Sequence, residues 1–177
     1  MELHTARLVL EPLEPRHASV LFEELQNPIL YEFTDDEPPR NIEMLRDRYT
    51  ALARRRSPDR AETWLNWVVW SVPEERYVGY VQATIAEGGS ASIAYVFFAD
   101  FWGKGYAREA VQSMLDHLVA SQNAHEFRAS VDQRNRRSIA LLEHLGFVRV
   151  AVHKTPAPIK GVSSDEFEYR KTLSVSN

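Results

Sequence analysis

Two glycines one residue apart, set between a strand pattern and a helix pattern, fix the centre of this chain. Residues 101–110 read Phe-Trp-Gly-Lys-Gly-Tyr-Ala-Arg-Glu-Ala. Ahead of them, residues 90–98 are rich in β-branched and aromatic side chains, which predicts a strand. Behind them, Ala107, Ala110, Val111, Met114, Leu115, Leu118 and Val119 recur at steps of three and four, the period of one helix face. The order is strand, glycine loop, helix. Gly103 and Gly105 let the backbone approach a ligand closely, and the next helix offers free N–H groups at its positive end. A phosphate or pyrophosphate suits such a site; a plain strand-to-helix turn is the competing account.

The loop is not a P-loop, because Gly103-Lys104 is followed by Gly105 rather than Ser or Thr. The dinucleotide fingerprint would need Gly or Ala at position 108, where Arg108 stands. The spacing instead resembles the coenzyme A loop of the GNAT acetyltransferases, with Gly105 and Ala107 in its paired small positions. Trp-Gly-Lys-Gly-Tyr-Ala followed by Glu109-Ala110 is most similar to the Rim-type branch, which acetylates protein N-termini, including those of ribosomal proteins. Trp102 stands where many relatives carry glutamine or arginine. The resemblance implies that Gly103, Lys104, Gly105, Tyr106, Ala107 and Arg108 bind the coenzyme.

Around this centre, residues 1–13 read as an opening strand ended by Pro12, and Pro15 opens a helix buried through Ala18, Leu21, Phe22 and Leu25. Asn27-Pro28 stops it. Asn41 caps a second helix carrying Ile42, Leu45, Tyr49 and Leu52, with Arg54-Arg55-Arg56 favourable at its negative end. Residues 64–72 and 77–85 form a hairpin, and Glu87-Gly88-Gly89 turns into the strand 90–98, giving an antiparallel meander. Trp64, Trp67 and Trp70 read as sheet packing rather than a stacking surface. Residues 126–131 form a short strand. Asn135 caps a helix with Ile139, Leu142 and Leu145 on its buried stripe, and Gly146 ends it. Alternation at Val148, Val150 and Val152, and at Phe167, Tyr169 and Leu173, marks two closing strands. Residues 155–164, with two prolines and one glycine, read as a loop. No linker or repeat interrupts the 177 residues, so one mixed α/β domain is the simplest account.

Asn135, Ser138 and the run Leu-Leu-Glu-His-Leu-Gly-Phe at 141–147 resemble the second signature of the same branch. There the asparagine and serine face the coenzyme arm, and the serine is a proposed proton donor to the leaving thiolate. The opening residues 5–13 and the run 165–169 are also similar to that branch; residues 35–75 match it least. Together these features imply a single-domain GNAT-like α/β fold over residues 1–177, with a mixed, mostly antiparallel central sheet flanked by helices. They imply acetyl transfer from acetyl-CoA to a primary amine, with catalytic Ser138 and Asn135. Backbone near Val96, Phe97 and Phe98 would face the thioester carbonyl. The segment holding Tyr31, Glu32 and Phe33 would lie over the acceptor.

Residues 90–99 contain no carboxylate, although clearer family members often carry one on this strand. Asp100, Glu32, Asp165 and His153 stand as alternative bases, directly or through water. Lys104, Arg108, Arg134, Arg136 and Arg137 are available to screen phosphates. The acceptor that the resemblance implies is a protein or peptide N-terminal α-amine, with a small-molecule amine (polyamine, amino acid or antibiotic) as the alternative. A non-catalytic acyl-CoA-binding module is the reading from another class.

Composition excludes several other chemistries. The chain has no cysteine, which removes thiol nucleophiles, cysteine zinc sites and disulfides. Its six histidines show no His-Glu-x-x-His spacing, and no Gly-x-Ser-x-Gly elbow occurs, so no metal is expected. A net charge of −4 disfavours nucleic-acid binding. No apolar run approaches a membrane span and no signal pattern opens the chain, so a cytoplasmic protein without a membrane partner is expected; its assembly is expected to be a monomer or a homodimer.

Overall fold

The computed structural model describes residues 1–86, 88–154 and 158–173. Eight strands form one sheet: β1 (Leu3–His4), β2 (Leu8–Pro12), β3 (Thr63–Ser71), β4 (Arg76–Ile85), β5 (Ser90–Phe97), β6 (Glu126–Asp132), β7 (Val148–Lys154) and β8 (Asp165–Thr172). Their spatial order is β1-β2-β3-β4-β5-β6-β8-β7. Every neighbouring pair is antiparallel except β5 and β6. The expected opening strand is two strands, because Thr5 folds the chain back: its amide donates to Leu8 O at 2.9 Å and its hydroxyl accepts from Leu8 N at 2.9 Å.

The helices are α1 (His17–Leu21), α2 (Ile42–Leu52), α3 (Tyr106–Gln122) and α4 (Arg136–His144). The Asn41 side chain accepts from Met44 N at 2.8 Å and the Asn135 side chain from Ser138 N at 3.1 Å, so both residues cap their helices as predicted. The first helix is shorter than expected and gives way to 3-10 turns at Glu24–Gln26 and Pro28–Tyr31. Arg54, Arg55 and Arg56 are not in the last turn of α2: the helix ends at Leu52, and Arg55 takes a positive φ of 58° beyond it. Glu87 of the predicted turn and residues 155–157 of the predicted 155–164 loop lie outside the described residues.

The buried face of α3 carries Ala110, Val111, Met114, Leu115 and Leu118, each at most 2% exposed. This stripe packs on β1, β2, β4 and β5. Full burial of one such large apolar side chain contributes about 1.5–3 kcal/mol, so the stripe holds α3, and the loop before it, firmly on the sheet. Trp67 is buried edge-on against His117 of α3, and Trp70 meets Tyr77 edge-on, in keeping with sheet packing.

One irregularity shapes the centre of the sheet. Strand β5 pairs with β6 only over Ser90–Ser92 and Glu126–Arg128. Beyond that point no pairing joins them, although each stays paired on its other side, β5 through Phe97 to β4 and β6 through Asp132 to β8. The two strands therefore part, leaving a wedge between residues 93–97 and 129–132.

Candidate active site

Backbone polarity in the wedge follows from the β4–β5 ladder. Phe98 N donates to Val78 O at 3.0 Å. Antiparallel pairs alternate, so the Val96 amide also turns towards β4, while the Tyr95 and Phe97 amides turn towards β6 and the wedge. Of the three residues predicted to face a thioester carbonyl, Val96 and Phe98 have their amides on the β4 side; Phe97 offers its amide to the wedge. The Phe97 carbonyl accepts from Trp102 Nε1 at 2.6 Å, and the Arg137 guanidinium stacks 3.7 Å from the centre of the Trp102 indole. Trp102 thus braces the end of β5 against α4.

At the mouth of the wedge, Gly103 and Gly105 take φ of 75° and 81°, values that L side chains rarely adopt. Gly105 caps α3 without a side-chain bond. Among the described residues, the main-chain amides from Gly103 to Arg108 have no protein acceptor. Six adjacent N–H groups without partners have the donor geometry that an anion requires.

The loop is tied down from behind. Glu109 accepts from Thr5 Oγ1 at 2.6 Å, Arg7 N at 2.9 Å and Arg7 Nε at 2.8 Å, and Arg7 Nη1 donates to Lys104 O at 3.1 Å. Partial burial pushes the Glu109 carboxyl up, but hydrogen bonds from Thr5 and Arg7 outweigh it and hold the group below its ordinary range. On the other flank, Glu74 accepts from Lys104 Nζ at 2.9 Å and from Tyr106 OH at 2.8 Å.

Inside the wedge, Tyr95 OH and Ser138 Oγ are 2.8 Å apart. Ser138 sits in the first turn of α4, positioned by the Asn135 cap. Tyr95 was not legible as a site residue, because its alternation with Ile93 and Phe97 is that of core. Only the register that brings α4 over the open side of β5 reveals the pairing.

The remaining candidates are dispersed. Tyr31 donates to Leu25 O at 2.8 Å and lines a cavity between α2 and the sheet. Phe33 lies 5.6 Å beneath the Arg134 guanidinium, and the exposed Glu32 helps raise the pKa of Arg134 after Asp132. Asp132 is buried, and burial pushes its carboxyl up; Arg134 and Ser164 override this with bonds of 2.7–2.9 Å and keep it low. Arg134 is therefore already committed. His153 pairs with Glu168 at 3.0 Å, Asp165 pairs with Lys154 at 2.8 Å, and Asp100 is exposed near Lys104. None of the four proposed bases bonds to Tyr95 or Ser138 among the described residues. Arg108 and Arg136 remain exposed at the starts of α3 and α4. No group of side chains that could hold a metal occurs among the described residues, and none of their helices is long and apolar enough to cross a membrane.

The model of the acetyltransferase (GNAT) domain family matches residues 7–148, which span the glycine loop, the wedge and all of α4. The chain belongs to the GNAT acetyltransferase family. Among its relatives, an uncharacterized N-acetyltransferase, p20, of Bacillus licheniformis is 27% identical over 167 residues, covering 94% of this chain and 93% of its own. Two solved structures share this GNAT fold at low identity. A RimL ribosomal L7/L12 alpha-N-protein acetyltransferase in complex with coenzyme A superposes with a TM-score of 0.86 at 16% identity, covering 99% of this chain and all of its own. A spermidine N-acetyltransferase from Vibrio cholerae, in complex with coenzyme A and spermine, gives 0.79 at 22%, covering 96% and 97%. The GNAT fold is thus common to proteins with different acceptors, and the acceptor of this one depends on its own side chains.

Proposed function

We propose that this GNAT enzyme transfers an acetyl group from acetyl-CoA to the free α-amine of a protein or peptide N-terminus. The observation that carries the reading is the run of unpartnered amides from Gly103 to Arg108 at the mouth of the wedge. Their geometry suits a diphosphate, with Arg108 beside them. Acetyl-CoA supplies an acyl group activated as a thioester. The Phe97 amide, aimed into the wedge, donates to the carbonyl oxygen as negative charge builds there. Ser138 holds a proton for the departing sulfur. As that proton leaves, Tyr95 passes its own to Ser138 Oγ across the 2.8 Å contact, and the proton shed by the acylated nitrogen returns to Tyr95, so the pair ends as it began.

The attacking nitrogen must be neutral. A free α-amine, with a pKa of ~7.7–8.0, has an appreciable neutral fraction near pH 7, whereas a lysine at ~10.4 has almost none. The settings of Glu32, Asp100, His153 and Asp165 favour an acceptor that needs no strong base. A thiol-release assay with acetyl-CoA tests this reading on peptides with free or blocked N-termini. Release that requires the free α-amine is expected. Binding of acetyl-CoA without release from any amine would replace the enzyme with a non-catalytic binding module.

A further inference from the structure

A cavity of about 360 Å³ lies between α2, the acidic segment 36–40 and the faces of β3 and β4. Its walls include Leu13, Leu25, Leu45 and Leu52. Its neutral hydrogen-bonding groups are Tyr31, Tyr49, Tyr80 and the amide pair in which Gln82 Nε2 donates to Asn66 Oδ1 at 2.8 Å. Tyr49 is 5% exposed, and its hydroxyl has no partner among the described residues. That hydroxyl opens into the cavity rather than being sealed in the core, so it is free to bond a ligand that enters.

The cavity adjoins the wedge. Tyr80 pairs in register with Val96, so the two side chains share a face of the sheet, one residue from the Phe97 amide. Its mouth carries Asp36 and Glu37 against Arg40, Arg48 and Lys160. Lys160 pairs with Glu37 and donates to Asp36 O at 3.0 Å. With three cations beside two carboxylates, one of them already paired, the mouth offers little to a polycation.

We propose that this cavity receives the side chain next to the acetylated amine, and that it selects an apolar or aromatic residue with a hydrogen-bonding tip, tyrosine above all, over small, polar or polycationic acceptors. The inference rests on the acetyl-transfer reading, and its test separates the two. Thiol release is measured on peptides differing only in a first residue of Tyr, Leu, Ser or Lys, and on spermidine. Apolar cavities discriminate by roughly 10- to 200-fold, so kcat/KM for Tyr and Leu should exceed that for Ser, Lys and spermidine by at least about tenfold. Tyr49→Phe should lower the preference for Tyr over Leu. Leu45→Trp, which fills the cavity, should abolish the preference for large residues while acetyl-CoA affinity, read by calorimetry, stays the same. Binding of tyramine, followed by saturation-transfer NMR and lost in Leu45→Trp, reports on the cavity even without turnover. Highest activity on Ser, Lys or spermidine would overturn the cavity assignment and leave acetyl transfer standing. Absence of tyramine binding at millimolar concentration would also overturn it. Absence of acetyl-CoA binding would remove the acetyl-transfer reading instead.

Discussion

The phenolic oxygen of Tyr95 on β5 lies 2.8 Å from the hydroxyl oxygen of Ser138 on α4, joining the two elements that border the wedge. Burial pushes the phenol up to about 12, so it stays protonated at neutral pH and remains available as a donor. A positioned proton donor contributes roughly a hundredfold or more to rate. Ser138→Ala and Tyr95→Phe should each lower kcat for thiol release with little change in acetyl-CoA affinity. The double variant should fall no further than the worse single one, because in the proposed step the two lie on one proton path. Additive losses in steady-state kinetics would uncouple them.

Gly105 combines a φ of 81° with a position among the unpartnered amides. A built Cβ there meets only Arg7 Nη2, at 3.4 Å, so space is not the main obstacle. The left-handed backbone costs an L residue about 1–2 kcal/mol, and a carboxylate would compete for the same amides and repel phosphate. Gly105→Glu should therefore abolish acetyl-CoA binding by calorimetry while circular dichroism remains native. Undiminished affinity would falsify the cradle.

Glu109 ties the loop to the start of the sheet through Thr5 and Arg7. Glu109→Ala leaves the Arg7 amide and guanidinium and the Thr5 hydroxyl without their acceptor. The expected loss is about 1–3 kcal/mol of stability, measured by urea denaturation, with weaker acetyl-CoA binding because the Gly103–Arg108 backbone loses its anchor. Wild-type stability in Glu109→Ala would show the tether to be idle.

His17 is 1% exposed. Its Nδ1 accepts from Glu14 N at 3.0 Å, so the ring is neutral and Nε2 faces Glu11 Oε2 at 3.3 Å. Burial, then the Arg16 charge, lowers its pKa below 6.5, against the pull of Glu11. The unfolded chain binds the proton more readily, so the stabilisation is full above pH 6.5 and is lost as pH falls below it. The melting temperature should drop between pH 7 and 5 with a steeper slope in wild type than in His17→Gln. Parallel slopes would assign the acid sensitivity to other groups.

Local chemistry made much of this protein legible in its sequence. Gly103 and Gly105 mark a turn that only glycine adopts cheaply, Asn41 and Asn135 are caps whose bonds reach three residues ahead, and the spacing from Ala107 to Leu118 lays out one buried helix face. Such features depend on neighbours within a turn or two. Tertiary structure alone decided the parting of β5 from β6 after Ser92, the insertion of β8 between β6 and β7, the meeting of Tyr95 with Ser138, and the enclosure of Tyr49 beneath the acidic segment. Each depends on residues nine or more positions apart. A side chain's alternation says which face of a strand it takes, but not what the chain later brings against that face, nor where two strands stop bonding.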